Sequence, residues 1–306
     1  MKKYFLFLTL IIIIISGCTN IPGGQLNDVL TGSPNGISIK FLPEQPSSEI
    51  FEGSDVNIGL QLTNNAACNT KGKICVTDSA PNSRGGIIDP LCKDFDLLGG
   101  AIESGKQRIS NDQFYIKIPS YTSLDRAEGL GVTLEATATY GCKIRGGPQL
   151  CIKSNLGEDK TCSSVETITG KQLKAPVGPV TITKVVKKFS PESGGVRLFT
   201  EITLSKMSNG YISSESSIQN PLDLSNEEPI NVYVDFEGNQ MSCEGRDFKD
   251  SKLYWKTTDL NDKVLRCNTL VNVVEKLQGY LNINLDYTYK ITESKGIKIT
   301  KLTQNT

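Results

Sequence analysis

The sequence predicts an all-β protein: two tandem antiparallel β-sandwich domains behind a signal peptide and a short spacer. Three observations carry this. Hydropathy alternates with period two along several segments, as it does in strands with one buried and one wet face. Helical periodicity is absent apart from one ambiguous stretch, 271–277. Gly, Pro, Asn and Ser punctuate the chain at short intervals, and a proline-rich run at 175–179 divides it in two.

The N-terminus reads as a leader, residues 1–17. Met1-Lys2-Lys3 is positive, residues 4–15 are almost wholly apolar, and Ser16-Gly17 precede Cys18. A bilayer span needs about 20 apolar residues, so this run suits a secretory signal instead. The segment Ile15-Ser16-Gly17-Cys18 resembles a prokaryotic lipobox, although Ile15 stands where Leu is commoner. That resemblance implies lipid attachment at Cys18, a membrane tether, and an extracytoplasmic location on the outer face of a membrane, at the cell surface or in the periplasm. Two acyl chains anchor stably where one binds only marginally. Residues 18–36, rich in Gly, Pro and Asn, form a lipid-proximal spacer.

The first sandwich is expected over 37–170. Val56, Ile58, Leu60 and Leu62 alternate with polar or small residues. So do Phe114, Ile116 and Ile118, and Val132, Leu134, Ala136, Ala138 and Tyr140. A linker follows at 171–179, where prolines remove ladder donors. The second sandwich is expected over 180–306. There Leu281, Ile283, Leu285, Tyr287, Tyr289 and Ile291 alternate with polar residues without exception. An offset of 149 aligns Leu134 with Ile283, Ala136 with Leu285, Tyr140 with Tyr289 and Gly147 with Gly296. Each copy reads as a long strand, a Gly-containing turn and a short returning strand.

Setting Cys18 aside leaves eight cysteines: Cys68, Cys75, Cys92, Cys142, Cys151, Cys162, Cys243 and Cys267. An even number in an exported chain implies four bridges. No C-x-x-C occurs, which removes the tight pair that zinc and thioredoxin-type sites need. Cys243 and Cys267 stand alone in the C-terminal half and are expected to pair. Cys142 and Cys151 flank Gly146-Gly147 symmetrically, as across a two-residue hairpin turn. Cys68 and Cys75 flank Lys71-Gly72 in the same way, leaving Cys92 with Cys162. Six cysteines allow 15 connectivities, so this is one arrangement of several.

Ala138-Thr139-Tyr140-Gly141-Cys142 resembles the A-x-Y-x-C of an immunoglobulin tyrosine corner. No Cys lies in the 56–62 strand to complete the usual inter-sheet bridge, and the first domain has no Trp. The plan therefore resembles Ig-like sandwiches of another family, in prokaryotic surface lipoproteins, archaeal ones among them, with tandem repeats.

The chemistry of the side chains points away from catalysis. With no His in 306 residues, Ser-His-Asp and Cys-His nucleophiles and every His-ligated metal are excluded. No G-x-S-x-G, S-x-x-K, P-loop or Rossmann glycine pattern occurs. The balance of 33 basic and 33 acidic residues, 31 and 33 after loss of the leader, gives no reason to bind nucleic acid. Oxygen-rich segments at 157–159, 226–228 and 259–262 are candidate calcium loops, but none has the EF-hand pattern and solvated loops are expected. Trp255, the single Trp, is expected in the core with Tyr254 on the surface. Lys184, Lys187 and Lys188 are expected on a solvated strand face or linker edge and not in an anion site. No N-x-[ST] sequon occurs, while the Ser-rich 205–217 could take O-linked sugar. The expected function is that of a non-enzymatic lipid-anchored extracytoplasmic protein: a structural, adhesion or protein-interaction module of the cell surface. It needs no cofactor or metal, and its partner is a protein or glycan. The alternatives are a glycan- or solute-binding lipoprotein and an accessory factor of envelope assembly or secretion.

Overall fold

The computed structural model describes residues 36–103, 106–122, 129–157, 161–213, 218, 227–256, 259 and 261–301. The alternating segments become strands because apolar residues at every second position pave one face while polar ones meet water. In the first half these are β1 (Ile37–Phe41), β2 (Glu49–Phe51), β3 (Val56–Asn64), β4 (Thr70–Asp78), β5 (Leu91–Leu97), β6 (Ala101–Glu103), β7 (Lys106–Arg108), β8 (Ser110–Ile118), β9 (Leu130–Gly146), β10 (Gln149–Lys153) and β11 (Val165–Thr169). The second half contributes β12 (Val180–Glu192), β13 (Gly195–Lys206), β14 (Tyr211–Ser213), β15 (Glu227–Phe236), β16 (Asn239–Gln240), β17 (Ser242–Glu244), β18 (Phe248–Lys249), β19 (Lys252–Lys256), β20 (Lys263–Val271) and β21 (Lys276–Thr300). The all-β, antiparallel expectation holds; the exception is β2, which runs parallel to the end of β21.

One large sheet has the order β18-β19-β15-β21-β9-β4-β5. It takes strands from both sides of the expected 171–179 linker, so that linker is no break in the hydrogen-bonded ladder. Two smaller sheets, β1-β3-β8 and β11-β12-β13-β20-β17, cover its inner face. Within each half the same plan recurs: β1, β3 and β8 correspond to β12, β13 and β20, and β4, β5 and β9 to β15, β19 and β21. The strands β9 and β21 lie side by side, with Tyr140 directly opposite Tyr289. These are the two residues that the internal repeat superimposes. A local two-fold axis therefore passes through this pair, perpendicular to the sheet.

The expected turn at Gly146-Gly147 is absent. Gly146 pairs with Ile283 and Gln149 with Tyr280, and the Leu281 N–H donates to the Pro148 carbonyl at 3.0 Å. The chain thus runs straight from β9 into β10 along β21, and β21 likewise passes Gly296 without turning back. Gly147 serves close approach: a Cβ there would lie 1.8 Å from the Leu281 carbonyl oxygen. Gly72, the other supposed turn residue, sits inside β4, where a Cβ would lie 2.1 Å from the Thr139 carbonyl oxygen.

The disulfide arrangement changes accordingly. Cys243 pairs with Cys267 as expected. The other three bridges are Cys68–Cys142, Cys75–Cys92 and Cys151–Cys162, in place of Cys68–Cys75, Cys142–Cys151 and Cys92–Cys162. Residues 71–72 and 146–147 are extended, so the flanking cysteines move apart along the strand instead of facing each other. Cys142 on the inner face meets Cys68 from the connection after β3, tying a small sheet to the large one. By loop-entropy scaling, that 74-residue closure contributes about 4.5 kcal/mol.

Buried apolar side chains form one contiguous core spanning both halves. At its centre Tyr140 and Tyr289 lie with ring centroids 6.0 Å apart. The Tyr140 hydroxyl accepts from the Ile37 N–H at 3.2 Å and the Tyr287 hydroxyl from the Val180 N–H at 3.1 Å. Both small sheets therefore start from the axis.

Candidate interaction surface

The period that buries one face of β9 and β21 exposes the other. Outward residues form cross-strand pairs over the large sheet. Lys143 meets Asp286 at 2.7 Å, the Arg145 Nε donates to the Asn284 Oδ1 at 2.7 Å, and Thr137 meets Thr292 at 3.0 Å. On the flank, Lys71 meets Asp96 at 2.8 Å and Lys73 meets Asp94 at 3.8 Å. On the other flank, the Asn282 side-chain amide donates to Asp235 at 2.8 Å, and Tyr233 and Tyr254 are exposed. This face is broad, polar and balanced in charge. Exposed pairs of this kind contribute about 0–1 kcal/mol each to stability.

Two depressions open elsewhere. One of about 590 Å³ is lined by Phe51 and Tyr115, both about half exposed, with Glu44, Glu49 and Asp55 around them. Asp55 is held by Lys117 at 2.6 Å. The other, about 530 Å³, lies between β15 and β17 and includes Tyr233, Cys243 and Phe248. Alternation did not reveal the first: Phe51 sits in a three-residue strand, too short to show a period, and Tyr115 is distant in sequence.

Cys18, the leader and the spacer up to residue 35 lie outside the described residues. Of the calcium-loop candidates, residues 158–159, 226 and 260 also lie outside them. Asp259 contacts Lys263, which Asp247 meets at 2.6 Å on its other side. Burial draws the Lys263 ammonium down, but the two carboxylates outweigh this and hold it above the ordinary lysine value. The Lys263 hydrogen bond in turn holds Asp259 below the ordinary carboxylate value. This carboxylate pair is occupied by an ammonium. Among the described residues no group of three or more His, Cys, Asp or Glu could hold a metal ion. No helix among them is long and apolar enough to cross a membrane.

Trp255 is buried, its indole N–H donating to the Asp259 carbonyl at 3.0 Å, and Tyr254 points outward. Lys187 corrects the expectation of a solvated lysine face: it is fully buried. The cause is a β-bulge between Ile182 and Lys184 in β12. Past the bulge the inward phase passes to Val185, Lys187 and Phe189. The buried ammonium is satisfied by the Glu166 carboxylate at 2.9 Å and by the Cys151 carbonyl at 2.9 Å. It thereby links β11 and β12 to β10.

The chain matches no protein-family model and no curated protein.

Proposed function

We propose that this chain is a non-enzymatic, lipid-tethered extracytoplasmic protein whose two Ig-like halves share one sheet and present its polar outer face to a protein partner. The observation that carries this reading is the point where the spacer joins the fold. Gly36 is buried on the inner side of the large sheet, at the local axis, beside the Tyr140 hydroxyl and Pro179. On this reading the fold is approached from its inner side and the outer face is the one offered away from the membrane. Four disulfides fit an oxidising compartment outside the cytosol. The six-strand plan of each half fits an Ig-like sandwich, whereas the Tyr140 hydroxyl bonds to Ile37, 103 residues upstream, and not to nearby backbone as in a tyrosine corner.

The test has two arms on the full chain in its host membrane. Cys18→Ala should release the protein into the aqueous phase of a detergent partition; continued membrane partitioning overturns the lipid anchor. Membrane-impermeant lysine labelling should modify Lys143 and Lys71 well before Lys295, whose ammonium is held by the Pro46 carbonyl at 2.7 Å. Protected outer-face lysines without any partner protein would overturn the orientation.

A second reading, glycan capture, is favoured by the Phe51 and Tyr115 side chains lining one depression among carboxylates. Aromatic faces and carboxylate acceptors suit sugar C–H faces and hydroxyls. Calorimetry with an oligosaccharide panel, compared with Phe51→Ala and Tyr115→Ala, decides it: no heat from any glycan eliminates this reading.

A further inference from the structure

The four bridges differ in what they staple and in how far solvent reaches them. Cys68–Cys142 and Cys151–Cys162 are buried at both ends. Cys75–Cys92 and Cys243–Cys267 each join an edge strand to its inner neighbour as directly opposed residues. In both of these the inner cysteine is buried. Among the described cysteines, Cys92 alone is exposed, while Cys243 is half-buried. Cys92 belongs to β5, an edge strand at one end of the large sheet. Its surroundings form an ordered row on the outer face, in which Lys71 opposes Asp96, Lys73 opposes Asp94 and Cys75 opposes Cys92. The first two pairs are ion pairs.

We propose that Cys75–Cys92 is a reversible thiol-exchange site that takes a low-molecular-weight thiol on Cys92, with Cys75 as the resolving sulfur. The incoming thiolate attacks the Cys92 Sγ from solvent and forms a new S–S bond. The Cys75–Cys92 bond breaks, its electron pair leaves on Cys75, and the resulting thiolate takes a proton from water. One thiol and one disulfide give one disulfide and one thiol, so no external oxidant or reductant is consumed. The site is built for reversal. β4 stays paired to β9 along eight positions and to β5 along seven, so with the bridge open the ladder keeps the Cys75 sulfur opposite Cys92. Its attack on the mixed disulfide expels the captured thiol and recloses the bridge. Access selects the attacked sulfur: Cys75 is buried and is reached only as the leaving group.

The experiment uses the full chain with all four bridges closed, exposed to increasing reduced glutathione without denaturant. The reaction is quenched in acid, alkylated and mapped by peptide mass. The expected result is a glutathione adduct on the Cys92 peptide and a free thiol at Cys75. This pair should open at least about tenfold faster than Cys68–Cys142 or Cys151–Cys162. In Cys75→Ser, with no resolving sulfur, oxidised glutathione should load Cys92 and stay there; in Cys92→Ser it should not load Cys75. Earlier opening of Cys243–Cys267, equal rates at all four bridges, or opening only on global unfolding overturns the proposal. The wild-type mapping decides it even if a variant does not fold.

Discussion

Replacing Gly147 by Ala tests the central architectural finding, because a hairpin and a straight-through strand give different costs. In the structure the new Cβ would meet the Leu281 carbonyl oxygen at 1.8 Å and its carbon at 2.9 Å. Both atoms are backbone of β21, so no side-chain rotation relieves the overlap. Reaching 3.0 Å requires the strands to part by more than 1 Å there, which removes the Leu281 N–H bond to Pro148. Losing one or two ladder bonds costs about 1 kcal/mol each. Holding a non-glycine residue at φ +152° costs about 1–3 kcal/mol more. The expected total is about 2–5 kcal/mol. Gly296→Ala in β21 is the internal control, since a Cβ there meets nothing within 4 Å. In extended backbone that change should be neutral or stabilising by up to about 1 kcal/mol. Urea unfolding of the disulfide-intact proteins reads the difference as a midpoint shift at unchanged slope. Gly147→Ala costing no more than Gly296→Ala would refute the straight-through pairing.

Four further outcomes are expected. Removing Cys68–Cys142 by paired Ala substitution should cost about 4.5 kcal/mol, against about 3 kcal/mol for Cys151–Cys162 with its 11-residue separation, in the same urea assay. Glu166→Gln, which strips the buried Lys187 of its carboxylate, should cost about 1–3 kcal/mol. This lies below the usual value for breaking a buried pair because Glu166 is half exposed; Lys187→Met should cost less than Glu166→Gln. At high pH the central tyrosines destabilise the fold. Burial pushes Tyr289 up to about 12, and raises Tyr140 and Tyr287 too, whereas the unfolded phenol titrates near 10. Their contribution is complete below about pH 10 and is lost as pH rises towards 12, so tyrosinate absorbance should appear together with cooperative unfolding. Expressed alone, residues 37–170 expose β9 as a long unpaired edge and should self-associate in sedimentation; a stable monomer would contradict the shared sheet.

Much of this architecture is legible in local pattern. Alternation around Leu60, Leu134 and Leu285 marks which residues face inward, because the side-chain period of a strand needs no knowledge of its neighbours. It also puts Trp255 and Tyr254 on opposite faces, and the burial tendency of Trp decides which of them is inside. The even cysteine set and the lack of C-x-x-C indicate bridges for the same reason: composition decides the chemistry. The candidate surface was legible only as the complement of the buried face. The Phe51 and Tyr115 depression was not, since residues far apart in sequence build it.

Partner choice belongs to the tertiary structure. Every alternating strand offers the same period, so nothing local says that β9 pairs with β21, or that Cys68 reaches Cys142. Gly147 shows the ambiguity at one residue. A glycine permits both a turn and a close strand contact, and only the presence of Leu281 across the ladder selects between them. Lys187 shows it at another, where a single bulge in β12 reverses inside and outside. The sequence by itself determined an all-β chain with one apolar and one polar face per strand. The tertiary structure decided which edges meet, because register is a relation between two strands and is written in neither alone.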